Sequence, residues 1–431
     1  MREVHISEDE MVNVEKRCGM HLNILLAFLL AFCLCVLTGC DKDEEEMLAS
    51  DDVAPPSFHI GIVTGSALQS EDEMKSAEAM MQKYGDTDHN GMIECVTFPD
   101  NFMEEQSETT RVIASLADNP LIKVIVVNPA VPGTAEGFRQ AKAKNSDIIC
   151  LAANVQEDAK LIGSVADMIV DPDNLHRGYL LPIAAQKMGA KNFVHISFPR
   201  HLGIELLALR YKVMESTAKQ IGLNFYSETV PDPLSAGIDA AKQYILDNVP
   251  KWVQKYGKNT AFFATNDAQT EPLIKRVAEL GAIFVEQDSA SPVLGYQAAF
   301  GVDLSDVQGN WSAILKKVEE AVVANGGANR MGGWAYSCSY TMTQALTEYG
   351  KQVVEGTMKK GNKFDLLKAF SIFTPGAYWN GSAYQDFETN TIKDNYILVY
   401  QDTYVFGTGH LGMTDLEVPN VYEMLEETKS R

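Results

Sequence analysis

The residues best placed for chemistry sit where an apolar run stops. Ala261 to Ala264 is a short apolar run bounded by polar residues, the pattern of a strand buried on both faces. It ends at Thr265-Asn266-Asp267. A helical pattern follows, with Leu273, Ile274, Val277 and Leu280 on one stripe and Gly281 as the stop. A strand, a polar turn and a helix make one parallel α/β unit, and such sheets hold ligands outside the carboxyl ends of their strands. Asn266 and Asp267 offer a donor and several acceptors there, enough to orient a small polar molecule. The same two residues can equally cap the helix.

Two further clusters have types and spacing worth weighing. Asp86-Thr87-Asp88-His89-Asn90-Gly91 matches the opening of a calcium loop, with calcium held at Asp86, Asp88 and Asn90. The twelfth position is Thr97, not the bidentate glutamate such loops use, and a polar turn accounts for the same residues. Arg200 follows another apolar run and can pair with a carboxylate or phosphate, or lie at a surface loop. The chain has no G-x-S-x-G, H-E-x-x-H or Walker loop, so no catalytic constellation is expected and no cofactor is required. Its seven cysteines form no CxxC or Cys/His metal spacing. Cys95 and Cys150 lie in strand-like runs and read as buried thiols, although a disulfide among Cys95, Cys150 and Cys338 is compatible with the sequence.

These residues need a scaffold, and 431 residues with 46% hydrophobic content can build two or three cores. The net charge of −22 excludes a phosphate-backbone binder, which needs a basic face. From Phe58 onward, apolar runs alternate with amphipathic ones about every 30 residues, the rhythm of a parallel doubly wound sheet. Strands are expected at 58–65, 92–98, 121–128, 148–154 and 165–170, with helices between. The pattern restarts after Pro172-Asp173-Asn174. A second set of strands is expected at 192–197, 224–230, 261–264 and 292–296. The fold class is therefore α/β, with two doubly wound lobes. A stripe of Met74, Ala77, Met80 and Met81 reads as core. After Lys363 the composition shifts to aromatic, Gly and Asn, which marks a C-terminal addition over 363–431.

The N-terminus reads as an address. Lys16 and Arg17 precede an apolar run from Leu22 to Leu37, and small residues follow. The Leu37-Thr38-Gly39-Cys40 ending resembles a bacterial lipoprotein signal. That resemblance implies a signal peptide over 1–39, cleavage before Cys40 and a lipid, palmitate among its acyl groups, on that cysteine. Residues 40–57 are acidic, contain Pro55-Pro56 and read as a solvated tether.

Several stretches in order resemble class I periplasmic binding proteins of the ribose and autoinducer-2 type. They are the segment Ile122 to Asn154 with its Asn-Pro turn, Asp173-Asn174 with Gly178, the Asn-Asp turn within Phe262 to Gly281, and Val293 to Gln297. The chain is also similar to an uncharacterised family of secreted lipoproteins with that fold. The resemblance covers roughly Phe58 to Gly356. It implies a first lobe over 58–172 and about 297–336, and a second over 173–296 and about 337–362. It also implies a ligand between them, touched by Thr64, Ser66, Asn128 and Asn154 from one side and by Phe198, Arg200, Asn266 and Asp267 from the other. Tyr296 and Gln297 would stand at a crossing, with Trp334 and Tyr336 nearby. Gln297 stands where the family usually has aspartate, which argues against a simple sugar. The implied function is a non-enzymatic, monomeric, lipid-anchored receptor in a bacterial cell envelope, on the outer face of the cytoplasmic membrane or in the periplasm. It would capture a small polar ligand for an ABC permease or, alternatively, report it to a membrane kinase. A nucleic-acid partner is not expected.

Overall fold

The computed structural model describes residues 55–67 and 70–429. The apolar N-terminal segment, Cys40 and nearly all of the acidic tether lie outside the described residues. The first half of the folded body comprises β1 (His59–Thr64), α1 (Glu71–Tyr84), β2 (Ile93–Thr97), α2 (Gln106–Ser115), β3 (Ile122–Val127), α3 (Thr134–Lys144), β4 (Ile149–Ala153) and β5 (Met168–Pro172). These strands run parallel in the order β5-β4-β3-β1-β2. Their near-continuous apolar sequence follows from burial on both faces. In β3, Val124 and Val126 point to one core while Ile125 and Val127 point to another. The second of these cores is closed by α2 and α3 through Ile113, Phe138 and Ala141. The first receives Ala77 and Met80 of α1, so the methionine stripe is core.

The second lobe follows with α4 (Asn174–Lys187), β6 (Asn192–Ser197), α5 (Glu205–Gln220), β7 (Asn224–Thr229), α6 (Ile238–Tyr256), β8 (Thr260–Ala264), α7 (Thr270–Leu280), β9 (Ile283–Phe284) and α8 (Trp311–Ala324). Its sheet is parallel, in the order β7-β6-β8-β9. Ile245 and Val249 of α6, Ile274 and Val277 of α7, and Ile314 and Val318 of α8 share one core with Val194 and Phe262. Leu181 of α4 and Met214 of α5 pack with Phe193 and Phe263 on the other face.

The remainder is β10 (Gly332–Gly333), α9 (Cys338–Val354), α10 (Lys363–Phe373), β11 (Trp379–Gln385), β12 (Ile392–Gln401), β13 (Tyr404–Val405), β14 (Gly409–His410) and α11 (Val421–Lys429). Helix α9 lies on β3, β4 and α1 and so belongs to the first lobe. Strand β12 extends the first sheet, parallel to β5 with Ile397 beside Val170, and β11 pairs antiparallel outside it. The last helix, α11, returns to the second lobe, where Val421 and Leu425 meet Leu175, Leu209 and Val213. The chain thus passes between the lobes near 172–174, 333–338 and 401–404.

Three expectations are corrected here. Residues 297–336 pack with the second lobe and 337–362 with the first, the reverse of the assignment from sequence. An amphipathic pattern shows that a helix has an apolar face but not which sheet receives it. The 363–431 segment is not an appendage: β11 and β12 complete the first sheet. Residues 292–295 form a loop into a helical turn at Tyr296–Phe300, not a strand. Gly295 there has φ 78°, and a Cβ would meet Thr270 Cγ2 at 2.6 Å, so the turn needs glycine.

Because the C-terminal segment is core, trimming it from within should be costly. Phe370, fully buried against Trp379, should cost about 3 to 5 kcal/mol of stability as Phe370→Ala. Phe364→Ala on the same helix, at a residue 75% exposed, should stay within about 0.5 kcal/mol. Denaturant titration of the two variants checks this, and equal losses would contradict the placement.

Candidate functional site between the lobes

A cleft of ≈ 930 Å³ opens between the lobes at the carboxyl ends of their strands. The first lobe contributes the opening turn of α1 (Glu71, Asp72, Glu73) and Asn154, just beyond β4. The second contributes Asp267 after β8, the polar run Asp288-Ser289 after β9, and Gln297. Trp334, Ser337 and Ser339 line it from the middle passage of the chain.

The floor is a buried ionic network. Arg177, in the first turn of α4, is 2% exposed and donates from all three guanidinium nitrogens. Nε donates to Glu286 Oε1 (2.9 Å), Nη1 to the Asp288 carbonyl (2.8 Å) and Nη2 to the Gln287 carbonyl (2.6 Å). Glu286 is itself 2% exposed and also accepts from Trp334 Nε1 (3.1 Å) and Thr403 Oγ1 (3.3 Å). Burial works against the charge on Arg177, but the Glu286 and Asp288 carboxylates outweigh it and hold its pKa above the ordinary value. Beside it, Arg210 is fully buried over the Phe263 ring and donates to Asn174 Oδ1 (2.6 Å). Its Nη2 lies 2.5 Å from Asp288 Oδ1, close enough to pair though not aligned as a hydrogen bond.

On the first-lobe side an amide ladder fixes the rim. Asn128 is buried and donates to the Ser339 carbonyl (3.1 Å) and to Thr343 Oγ1 (2.9 Å), while its Oδ1 accepts from Asn154 Nδ2 (2.9 Å). Asn154 also donates to Ser339 Oγ (3.0 Å) and takes a left-handed backbone (φ 48°), which asparagine tolerates. The neighbouring Asp171, on β5, keeps some exposure at its edge, but its carboxyl is held by groups of the two flanking stretches, just past β4 and on β12. Its Oδ1 accepts the Val155 N–H (2.8 Å) and its Oδ2 the Tyr396 hydroxyl.

Three carboxyls of the cleft, those of Asp72, Glu73 and Asp267, are displaced upward from their ordinary values. Burial raises both Asp72 and Glu73 first; the charge of Glu71 adds to it at Asp72 against the Ser337 hydroxyl, and the charge of Asp72 adds to it at Glu73 against a backbone N–H and the Ser339 hydroxyl. Asp267 is open to the cleft yet flanked by both lobes. Loss of surrounding water raises it first and the charge of Asp288 second, against the Ser289 hydroxyl, which donates to it at 2.7 Å.

Of the residues expected at the site, Asn154, Asp267, Gln297 and Trp334 line the cleft. Asn128 stands behind Asn154. The others are held elsewhere. Thr64 donates to the Gly65 carbonyl (2.9 Å), and Ser66 to Asp100 (2.5 Å). Phe198 is fully buried in the second-lobe core. Arg200 forms a two-pronged pair with Asp232 (2.7 and 2.9 Å). Asn266 accepts the Ala268 N–H (3.1 Å) as a cap. Tyr296 is buried, and its hydroxyl donates to the Gly332 carbonyl (2.6 Å). Tyr336 bonds the Pro375 carbonyl (2.8 Å). Strand-end position alone does not distinguish a residue facing the cleft from one facing the core. Arg177, Glu286, Asp288 and the acidic turn of α1 were missed. Glu286-Gln287-Asp288-Ser289 follows the apolar run Ala282–Val285, the same signal that singled out Asn266 and Asp267.

At the other candidate, Asp86 Oδ1 accepts the Asp88 N–H (2.9 Å) and Asn90 is left-handed (φ 60°). Among the described residues no group of three or more His, Cys, Asp or Glu side chains is arranged to hold a metal ion. Cys95, Cys150 and Cys338 are free thiols, and burial pushes Cys95 and Cys150 up to about 12. No helix among the described residues is long and apolar enough to cross a membrane.

Residues 58–332 match a family model described as a protein of unknown function, DUF3798. The chain belongs to this family. A second family model matches residues 343–425. Two uncharacterised proteins of Treponema pallidum (strain Nichols) are similar to it. One is 35% identical over 212 residues, covering 49% of this chain and 96% of the relative. The other is 41% identical over 182 residues, covering 42% and 82%. A crystal structure from Clostridium difficile 630, named as a transcriptional regulator, superposes with a TM-score of 0.72 at 23% identity, covering 81% of this chain and 99% of that one. A sugar ABC transporter structure from Actinomyces odontolyticus ATCC 17982 gives 0.50 at 8% identity, covering 84% and 98%. At these identities the likeness is one of fold, and the DUF3798 chain has the class I periplasmic-binding-protein fold.

Burial pushes the Asp171 carboxyl up to about 7, against the hydrogen bonds from Tyr396, Val155 and Asn154. A carboxyl raised in the folded state stabilises the fold at low pH, and that share is lost as pH rises through the folded value. Asp171→Asn mimics the protonated form. The difference in melting temperature between variant and wild type should therefore move in the variant's favour from about pH 5 to about pH 8. A difference that does not change with pH would contradict it.

Proposed function

We propose that this protein is a monomeric extracytoplasmic solute receptor that closes its two lobes on a small polar ligand. The observation that carries the proposal is the ≈ 930 Å³ cleft, polar and set between two α/β lobes joined by three passages of chain. A hinge of this kind has open and closed states. A ligand touching both lobes favours the closed one by its differential contacts, and a membrane partner can read that state. The likeness in fold to a protein named as a sugar ABC transporter supports an ABC permease as that partner. The lipoprotein-like ending at Cys40 supports a lipid anchor.

Two experiments test this. Mass spectrometry of small molecules released from gently purified protein should find a retained solute. Adding that solute back should lower the radius of gyration in small-angle scattering, and Asp267→Ala should weaken its binding about tenfold or more with little change in the ligand-free melting temperature. An identical scattering profile at saturating solute would overturn the receptor. For the anchor, Cys40→Ser should move the protein out of the membrane fraction or leave it unprocessed. Unchanged fractionation and mature mass would remove the lipid from the account.

A further inference from the structure

Helix α10 has two apolar faces, and only one is covered. Leu366, Ala369 and Phe370 are fully buried in the first-lobe core. Phe364, Lys368 and Ile372 follow one another at four-residue steps, so they share the opposite side of the helix. All three are exposed, Phe364 at 75% and Ile372 at 45%. An outward helix face that meets water alone normally carries polar groups, so this apolar pair marks a contact surface.

Charge, and the place where the chain enters the lobe, indicate what covers it. Residues 359–368 hold four lysines and one aspartate, in a chain of net charge −22. Asp365 already accepts the Lys359 N–H (2.8 Å), and Lys360 pairs with Asp167 (2.7 Å). The neighbouring Glu348 and Glu355 are paired with Lys83 and Lys351. Lys359 and Lys368 are exposed, and their ammonium groups have no ion-pair partner among the described residues. Lys363 and Lys83 lie over the Phe364 and Phe373 rings (5.4 and 4.5 Å), so cations run the length of the helix. The chain enters the same lobe at Phe58, which shares the core with Leu366 and Phe370. Fewer than twenty residues separate Phe58 from Cys40, a reach of at most about 65 Å.

We propose that the outward face of α10 lies on a lipid surface with anionic headgroups, an inference that rests on the envelope placement proposed above. Phe364 and Ile372 enter the boundary between headgroups and acyl chains, and Lys359, Lys363 and Lys368 meet the headgroups. The acidity of the whole chain does not prevent this. Screening to about 8 Å at physiological ionic strength lets a headgroup meet the lysines beside it rather than the net charge. One short helix binds lipid weakly, but a lipid on Cys40 would keep the lobe within reach, so a weak second contact suffices. Held at two points, the first lobe becomes the fixed one, and closure of the cleft is a movement of the second.

The test uses the chain from Asp41 to Arg431, which has no Cys40 and therefore no lipid of its own. All four core clusters lie between Phe58 and Leu425, so this chain keeps them intact. It is sedimented with vesicles of phosphatidylcholine alone, and with vesicles of phosphatidylcholine and phosphatidylglycerol in equal parts. It should bind the mixed vesicles and not the neutral ones. Phe364→Ser, and separately the pair Lys359→Gln and Lys368→Gln, should each lower the partition coefficient about fivefold or more. Met103→Ser, at a 62% exposed methionine in the connection before α2, should leave it unchanged. Melting temperatures should stay at the wild-type value in all of these variants, since every substituted side chain is exposed. Absence of binding to the mixed vesicles, equal binding to the neutral ones, or binding indifferent to both α10 changes overturns the inference. A concentration-dependent dimer that Phe364→Ser dissolves, seen without vesicle binding, would give the face to a second copy and overturn it too. Docking can fail while Cys40→Ser still releases the protein from the membrane fraction, in which case the anchor stands and the α10 contact alone falls.

Discussion

The structure depends most on one buried ion pair, Arg177 with Glu286. Arg177 stands just past the first passage between the lobes. Glu286 lies in the loop that leaves β9, and its second oxygen holds Trp334 from the middle passage and Thr403 from the last. Three crossings widely separated in sequence are thereby gathered on one carboxylate. Burying two charges is costly unless each is paired and its remaining hydrogen-bonding capacity is filled. Here two backbone carbonyls also accept from the guanidinium, and an indole and a hydroxyl donate to the carboxylate. The consequence is geometric: the loop carrying Asp288 and Ser289 is fixed to α4, so the second-lobe wall of the cleft is set by the hinge.

A different logic governs the opposite wall. Glu71, Asp72 and Glu73 occupy the first turn of α1, where a helix N-terminus favours negative charge. That placement lets carboxylates collect at the cleft without unfolding the helix that bears them. The amide ladder of Asn128 and Asn154 then locks the strand ends to α9. The pocket-facing atoms are thus supported from behind by groups that do not face the pocket themselves.

Much of this was legible in the sequence where the signal is local. The apolar runs gave the parallel strands, with amphipathic helices between them. The Asn266-Asp267 turn resolved into one cap and one cleft residue, both roles its chemistry permits. What was not legible is what depends on distant partners. The sequence of β12 shows a strand but not that β5 is its neighbour, and α9 has an apolar stripe without an address. Phe198 and Tyr296 follow strand or loop ends as a ligand contact would, yet face the core, because one residue of rotation decides between the two. Arg177 was hidden inside a helical pattern, where a lone arginine usually reads as surface.

The order of the first sheet also bears on the life of the chain before it is folded. Strand β12 covers the edge of β5, and it is made long after the strands it joins. Domains whose strands are contiguous in sequence can close as they leave the ribosome. This first lobe cannot, because it keeps an open, apolar strand edge until Gln401 has been synthesised. A polypeptide built this way stays threadable for most of its synthesis, and its N-terminal half needs protection from pairing with other chains until the last fifth of the molecule arrives.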